Sequence, residues 1–281
     1  MHSISNSDLT AKKSLGQHWL RDEASLRAVV EAAEVGAEDT VLEIGPGQGT
    51  LTAQLLPRVK KVVAVEFDRV LAAQLPQRLP VTNLRVIEAD ILSFDLSVLP
   101  AGYKVVANIP YYLTSNLLRV LCESANPPSQ MALLVQKELA ERVVAAPGQM
   151  SLLSVSVQLY CQASLGQVVP ARMFTPPPKV DSQILRLVRY QTPLFPDLDS
   201  KVFFRLVKAG FSNRRKTLHN SLAAGLRLSK AQIASFLDRA GLHPNSRPQE
   251  LSMTDWYALY KVCHKVLTDG GNVQYNCTSR G

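Results

Sequence analysis

Cysteine is scarce and scattered in this chain. Cys122, Cys161, Cys263 and Cys277 form no C-x-x-C pair and have no histidine beside them at metal-ligand spacing, which excludes a zinc module and a disulfide framework. They read as reduced thiols of a cytoplasmic protein with no metal. No apolar run approaches bilayer-spanning length, and the opening MHSISNSDLTAKK lacks the hydrophobic segment of a secretory signal, so no membrane partner is expected. The NCT near the end matches the glycosylation pattern only formally. Internal repeats and low-complexity tracts are absent too. Acidic side chains are outnumbered, 23 Asp+Glu against 31 Lys+Arg, and the net charge of +8 favours a polyanionic partner such as nucleic acid. Apolar residues are plentiful: at 46% of 281 residues they can fill one sizeable domain and a small companion.

Short β-branched runs alternate with segments of helical period. TVLEI (40–44), KVVAVE (61–66), LRVIE (84–88), YKVVA (103–107) and QMALLVQ (130–136) read as buried strands. Between them LTAQLLPRV, RVLAAQLPQRL and TSNLLRVLCES have helix-like spacing, the second preceded by Asp68 as N-cap. Strand and helix alternating in this way predict an α/β fold, a parallel sheet with helices on both faces. LLSVSVQLYCQASL (152–165) and SQILRLVRY (182–190) read as further strands extending the sheet at one edge. The proline-interrupted QTPLFPDLDS reads as a linker, and VFFRLVKAGF, LSKAQIASFLDRAGL and SMTDWYALYKVCHKVL beyond it all have helical period. The expected organisation is an α/β domain over 1–192, a small all-helical domain over 193–268, and a disordered polar tail over 269–281.

Ligands of such sheets sit beyond the carboxyl ends of the strands. The first long strand runs into EIGPGQG, where Gly45, Gly47 and Gly49 open a helix and let a ligand approach the backbone more closely than a Cβ permits. The spacing is G-x-G-x-G rather than the G-x-G-x-x-G of dinucleotide binders, and Glu43 precedes it. A pyrophosphate gains nothing from that carboxylate; a ligand bearing an ammonium and a sulfonium does. Glu66 closes the second strand, placed for both hydroxyls of a ribose. Asp90 follows the third strand, placed for the amine of an adenine ring. One acidic residue here would be a solvated loop charge, but three at successive strand ends describe a nucleoside without phosphates, S-adenosylmethionine.

The fourth strand runs into NIPYY, Asn108 to Tyr112. An adenine exocyclic amine is a poor nucleophile because its lone pair is delocalised into the ring. Acceptors aimed at its two N–H bonds favour the pyramidal form that attacks a methyl group. The side-chain oxygen of Asn108 and the carbonyl of Ile109, held by the fixed φ of Pro110, supply two acceptors, and Tyr111 offers a face for stacking. A carboxamide takes no proton, so Asn108 orients and polarises while the proton leaves to water.

KKSLGQHWL, EIGPGQG, AVEFD, EADIL, NIPYY, MFTPPPKVDS and FSNRRKTLHNSL stand in the order and approximate spacing of the ribosomal RNA adenine dimethyltransferases, and the chain resembles that family, most of all its KsgA type, over residues 12 to 268. The resemblance implies a Rossmann-like methyltransferase sheet and dimethylation of two adjacent adenosines near the 3′ end of small-subunit rRNA, by a monomer acting on the RNA or the immature subunit in ribosome biogenesis. It carries cofactor contacts onto His18, Leu20, Gly45, Glu66, Asp90 and Asn108, and the aromatic sandwich around a flipped adenine onto Tyr111 and Phe174. Position 18, often asparagine in the family, is histidine here, and the tail after 268 matches nothing in it.

Extruding a base costs a few kcal/mol, and aromatic contacts of roughly 1–3 kcal/mol per base offset it. Lys12 and Lys13 before the first segment, Arg172 and Lys179 beside the aromatic loop, and Arg214, Arg215 and Lys216, read as opening a helix, supply an RNA footprint. Three other readings stay open: the large-subunit rRNA methyltransferases of macrolide resistance, a non-enzymatic ribosome-assembly or transcription factor on the same fold, and, more distantly, an NAD-dependent oxidoreductase.

Overall fold

The computed structural model describes residues 16–213 and 215–269, so the expectations on Lys12, Lys13, Arg214 and residues 270–281 of the tail lie outside the described residues. These residues form two compact units. The first holds residues up to Val144 and Ser156–Gln191; the second holds Ala145–Val155 and the residues from Thr192 onward. Residues 145–155, read from sequence as part of the α/β domain, thus group with the second unit.

Along the chain the elements are β1 (Trp19–Leu20), α1 (Glu23–Ala32), β2 (Thr40–Ile44), α2 (Thr50–Leu55), β3 (Lys61–Glu66), α3 (Arg69–Arg78), β4 (Leu84–Glu88), β5 (Lys104–Asn108), α4 (Thr114–Glu123), β6 (Gln130–Gln136) and α5 (Lys137–Val143). Then come α6 (Leu152–Gln158), β7 (Cys161–Val169), β8 (Phe174–Thr175), β9 (Ser182–Arg189), α7 (Ser200–Phe211), α8 (Leu218–Leu226), α9 (Lys230–Arg239) and α10 (Met253–Asp269).

In the first unit seven strands lie in the order β4-β3-β2-β5-β6-β9-β7. The first five are parallel, and β9 and β7 add an antiparallel edge. The four inner parallel strands are Val-, Leu- and Ile-rich because both of their faces are covered: Val41, Leu42, Val62, Ala64, Val105, Val106, Leu133 and Leu134 are all fully buried, whereas β4, expected as a buried strand, lies at the sheet edge with none of its residues buried. From β2 the chain winds outward to β3 and β4, then returns to build β5 and β6 on the other side. The order therefore reverses between β2 and β5, where such sheets open a crevice. Asp68 caps α3 as its residue type and position predict, accepting from the backbone N–H groups of Val70 and Leu71.

The stretch 152–165, expected as one strand, is a helix followed by a strand. Val155, Val157 and Leu159 alternate as a strand would, but Ser151 and Ser154 exchange bonds from backbone N–H to hydroxyl, at 2.9 and 3.2 Å, and start a helical turn. Strand β7 begins only at Cys161.

The second unit packs α7 to α10 around Phe203, Leu222, Leu237 and Trp256, each buried. α7 and α8 approach closely at Gly225, where an added Cβ would lie 2.8 Å from that of Ala209. Contrary to expectation, Arg215 and Lys216 precede a helix rather than open one. Thr217 caps α8, and Asn213 holds both basic residues in a turn through their backbone N–H groups.

Candidate active site

At the carboxyl ends of β2 to β5 lies a cavity of about 300 Å³ within the first unit. Each strand ends in a residue whose chemistry faces it. Gly45 leaves β2 with φ +64° and nothing within 4 Å of where a Cβ would stand, so the turn is open to a ligand. Gly47 has φ +57°, and its Cβ position falls 3.3 Å from the indole nitrogen of Trp19. At the end of β3, Glu66 accepts from the backbone N–H of Gly47 at 3.0 Å with one carboxylate oxygen and from that of Asp68 at 2.8 Å with the other. Each oxygen retains acceptor capacity. Burial raises the Glu66 carboxyl above its usual pKa against those two backbone bonds. Beyond β4, exposed Asp90 accepts from the N–H of Leu92 at 2.9 Å through Oδ1, which orients its carboxylate.

Glu43 sits deeper, 1% exposed, with neither carboxylate oxygen in a hydrogen bond. Burial pushes its carboxyl up to about 8; Thr52 opposes the shift and the charge of Glu66 adds to it. Three carboxyl groups thus line the cavity, and among the described residues no lysine or arginine does. Such a wall rejects a pyrophosphate and attracts a cation. The open glycine turn, the two-oxygen acceptor at Glu66 and this one-signed lining fit S-adenosylmethionine.

Asn108, the last residue of β5, donates from Nδ2 to the backbone carbonyl of His18 at 3.0 Å. That bond leaves Oδ1 as the acceptor the side chain has to spare. Pro110 accepts the N–H of Leu113 at 3.0 Å and closes the turn that carries Tyr111. The Tyr111 hydroxyl lies 3.0 Å from Ser182 Oγ, fixing the ring, and burial raises its pKa. Residues 16–20 form a strap over these groups. β1 pairs with β8, Leu20 opposite Phe174 and Trp19 opposite Thr175. The His18 ring stacks on Tyr111 at 5.9 Å, and its Nδ1 donates to the Pro176 carbonyl at 2.8 Å, since that oxygen only accepts.

The structure therefore gathers His18, Leu20, Glu43, Gly45, Gly47, Glu66, Asp90, Asn108, Ile109, Pro110, Tyr111 and Phe174 around one cavity. Phe174 is only 3% exposed and also belongs to the core beneath the strap, so a base meets it only from inside the cavity. Arg172 and Lys179 are exposed and outside the lining, while Arg215 and Lys216 belong to the second unit. Sequence reasoning passed over Trp19, whose buried indole N–H has no partner, and Ser182, which holds Tyr111. Trp19 lay inside the quoted KKSLGQHWL, but no spacing rule assigns it a task.

Among the described residues no helix is long and apolar enough to cross a membrane, and no group of three or more His, Cys, Asp or Glu could hold a metal ion.

The profile of the family described as Ribosomal RNA adenine dimethylase matches residues 8–265. The Ribosomal RNA small subunit methyltransferase A of Dehalococcoides mccartyi (strain CBDB1) is 44% identical over 255 residues, covering 89% of this chain and 88% of its own. Among solved structures, a dimethyladenosine transferase from Plasmodium falciparum superposes with a TM-score of 0.76 at 28% identity, covering 88% of this chain and 98% of that one. The 23S rRNA methyltransferase ErmE superposes with a TM-score of 0.70, also at 28% identity, over 87% and 98%. A match along nearly the whole chain, joined to a cavity shaped for a cationic nucleoside, makes this protein a member of the ribosomal RNA adenine dimethylase family, an S-adenosylmethionine-dependent rRNA adenine dimethyltransferase.

Proposed function

We propose that the substrate is the small-subunit rRNA, free or in an immature subunit, and that the target is a pair of adjacent adenosines near its 3′ end. The observation that carries this reading is the 44% identity, over most of both chains, to a relative named for the small subunit, against 28% to ErmE. The bound cofactor supplies an electrophilic methyl group on a sulfonium.

The protein's residues arrange the rest. Glu66 offers the remaining lone pairs of both its oxygens to the ribose hydroxyls, and Asp90 offers Oδ2 to the cofactor's adenine amine. The target base enters against Tyr111, with Phe174 on its other side. There its amine meets Asn108 Oδ1 and the Ile109 carbonyl. These acceptors draw on the two N–H bonds, pyramidalise the nitrogen and free its lone pair; after transfer the acidified nitrogen loses its proton to water. His18, Trp19 and Leu20 exclude solvent from the cavity side. Arg172, Lys179, Arg215 and Lys216, all exposed, meet backbone phosphates, so the second unit acts in RNA binding while the cavity decides which atom reacts. The proposed setting is a monomer acting in the cytoplasm, where rRNA is matured.

The test is methyl transfer to immature small and large subunits side by side, with mass spectrometry of the product nucleosides. Dimethyladenosine in small-subunit rRNA alone is expected; methylation of the large subunit alone would transfer the chain to the rival class.

A further inference from the structure

Glu43 is a buried carboxyl group inside a cofactor cavity with no charged partner. Its two oxygens are buried without a well-formed hydrogen bond, the hydroxyl and backbone N–H of Thr52 are the donors beside it, and flanking β3 and β5 present only Ala64 and Val106 opposite it. A carboxylate so placed has lost its hydration and received only the weak donors of Thr52 in exchange, so in the cofactor-free protein the neutral acid is favoured. The other titratable groups of the lining are Glu66 from β3, Asp90 beyond β4, His18 from the strap, and Tyr111 and Tyr112 after β5, with Asp68 behind Glu66. Among the described residues no lysine or arginine of the lining supplies a resident positive charge.

We infer that Glu43 is a charge sensor for the methyl donor: it is protonated when the cavity holds no cofactor, ionises when the sulfonium enters, and so favours the donor over its spent product. The balance is simple. The Glu43 O–H bond breaks, its electron pair stays on the carboxylate, and the proton passes to the buffer base. S-adenosylmethionine and S-adenosylhomocysteine share a nucleoside and an amino-acid zwitterion but differ by one positive charge at sulfur. Only the former brings net charge into a water-poor cavity, where one charge strongly biases a neighbouring titration. This inference rests on the assignment of the cavity to the cofactor, and it explains how the site would release product without losing affinity for substrate.

The experiment is calorimetric titration of the whole protein with each ligand near pH 7, in phosphate and in Tris, whose ionisation heats differ. We expect S-adenosylmethionine to release up to about one proton more than S-adenosylhomocysteine, and its affinity to climb by up to about tenfold per pH unit toward pH 8. In Glu43→Gln both the excess proton and that climb should vanish, the two ligands then releasing equal numbers of protons. Subtracting the variant's proton release from that of the wild-type chain cancels any contribution from the cofactor's own ammonium, which titrates at about 7.7–8.0 as an ordinary α-amino group and is common to both forms of the protein. Equal proton release for the two ligands with the wild-type chain, or an excess that survives in Glu43→Gln, overturns the inference. Should the variant not fold, infrared difference spectra of the wild-type chain decide: donor binding must erase a protonated-carboxyl band that product binding leaves. Absence of binding by either ligand would instead sink the cofactor assignment itself.

Discussion

Asn108 Nδ2 and the backbone carbonyl of His18 lie 3.0 Å apart, a hydrogen bond joining the end of β5 to the strap. It turns the carboxamide so that its oxygen is free to face a substrate amine. Asn108→Ala should therefore lower the methyl-transfer rate by about 10²–10³, as removal of one preorganised polar group does. It should also weaken cofactor binding, because the strap loses a fastening. Asn108→Asp retains an acceptor but sets it against the His18 carbonyl, so it should not rescue the rate. Single-turnover assays with calorimetry read both effects, and near-normal turnover in the alanine variant would remove Asn108 from the reaction.

Glu43 should make the cofactor-free protein sensitive to alkali. Its folded pKa of about 8 lies above the ordinary 4.5. The stability tied to the neutral acid is thus complete below pH 4.5 and is lost as pH rises through 8. Glu66 shifts in the same direction. Glu43→Gln, which cannot ionise, should gain on the wild-type chain by on the order of 1–3 kcal/mol between pH 5 and pH 9. Thermal melts across that range check the sign: a variant that loses ground at high pH contradicts it.

Helix packing in the second unit hangs on two glycines. A Cβ on Gly210 would stand 2.5 Å from the Trp256 ring, and one on Gly225 2.9 Å from the Ala209 backbone. Overpacking of this kind costs about 1–3 kcal/mol. Gly225→Ala should cost more than its gain in helix propensity returns, because backbone yields less than a side chain end. Denaturant unfolding of both variants measures it; unchanged midpoints would refute the close packing.

Arg215 and Lys216 are exposed in the turn before α8. If each neutralises one phosphate, replacing both with alanine should reduce the salt slope of RNA binding by about 1.4–1.8, at roughly 0.9 per contact on a duplex and 0.7 on a single strand. Cofactor affinity should not change. A slope equal to that of the wild-type chain would return these residues to the solvated surface.

The parallel sheet was legible because burial on both faces writes a near-continuous apolar run: KVVAVE is one between its charged ends, TVLEI one broken only by Glu43, and both keep their boundaries in the structure. The acidic residues were legible because each lies at or just beyond the carboxyl end of a run. What local pattern could not convey was competition between periods: Val155, Val157 and Leu159 alternate, and only the Ser151–Ser154 exchange makes that segment helical. Nor does any spacing in the sequence announce that Ser182, on an edge strand, steadies Tyr111, or that Trp19 covers Gly47. Such partnerships join residues far apart in the chain, and topology alone brings them together.

The strap's fastenings include its ladder with β8, His18 on Pro176, Thr50 Oγ1 on the Leu20 carbonyl, and Asn108. A second methyl on the same nitrogen needs a fresh donor. On the proposed function, any exchange that lifts this wall would let go of the carboxamide and of the backbone opposite Phe174 in one motion, so the group proposed to aim the amine would be reset between the two rounds rather than kept cocked across them.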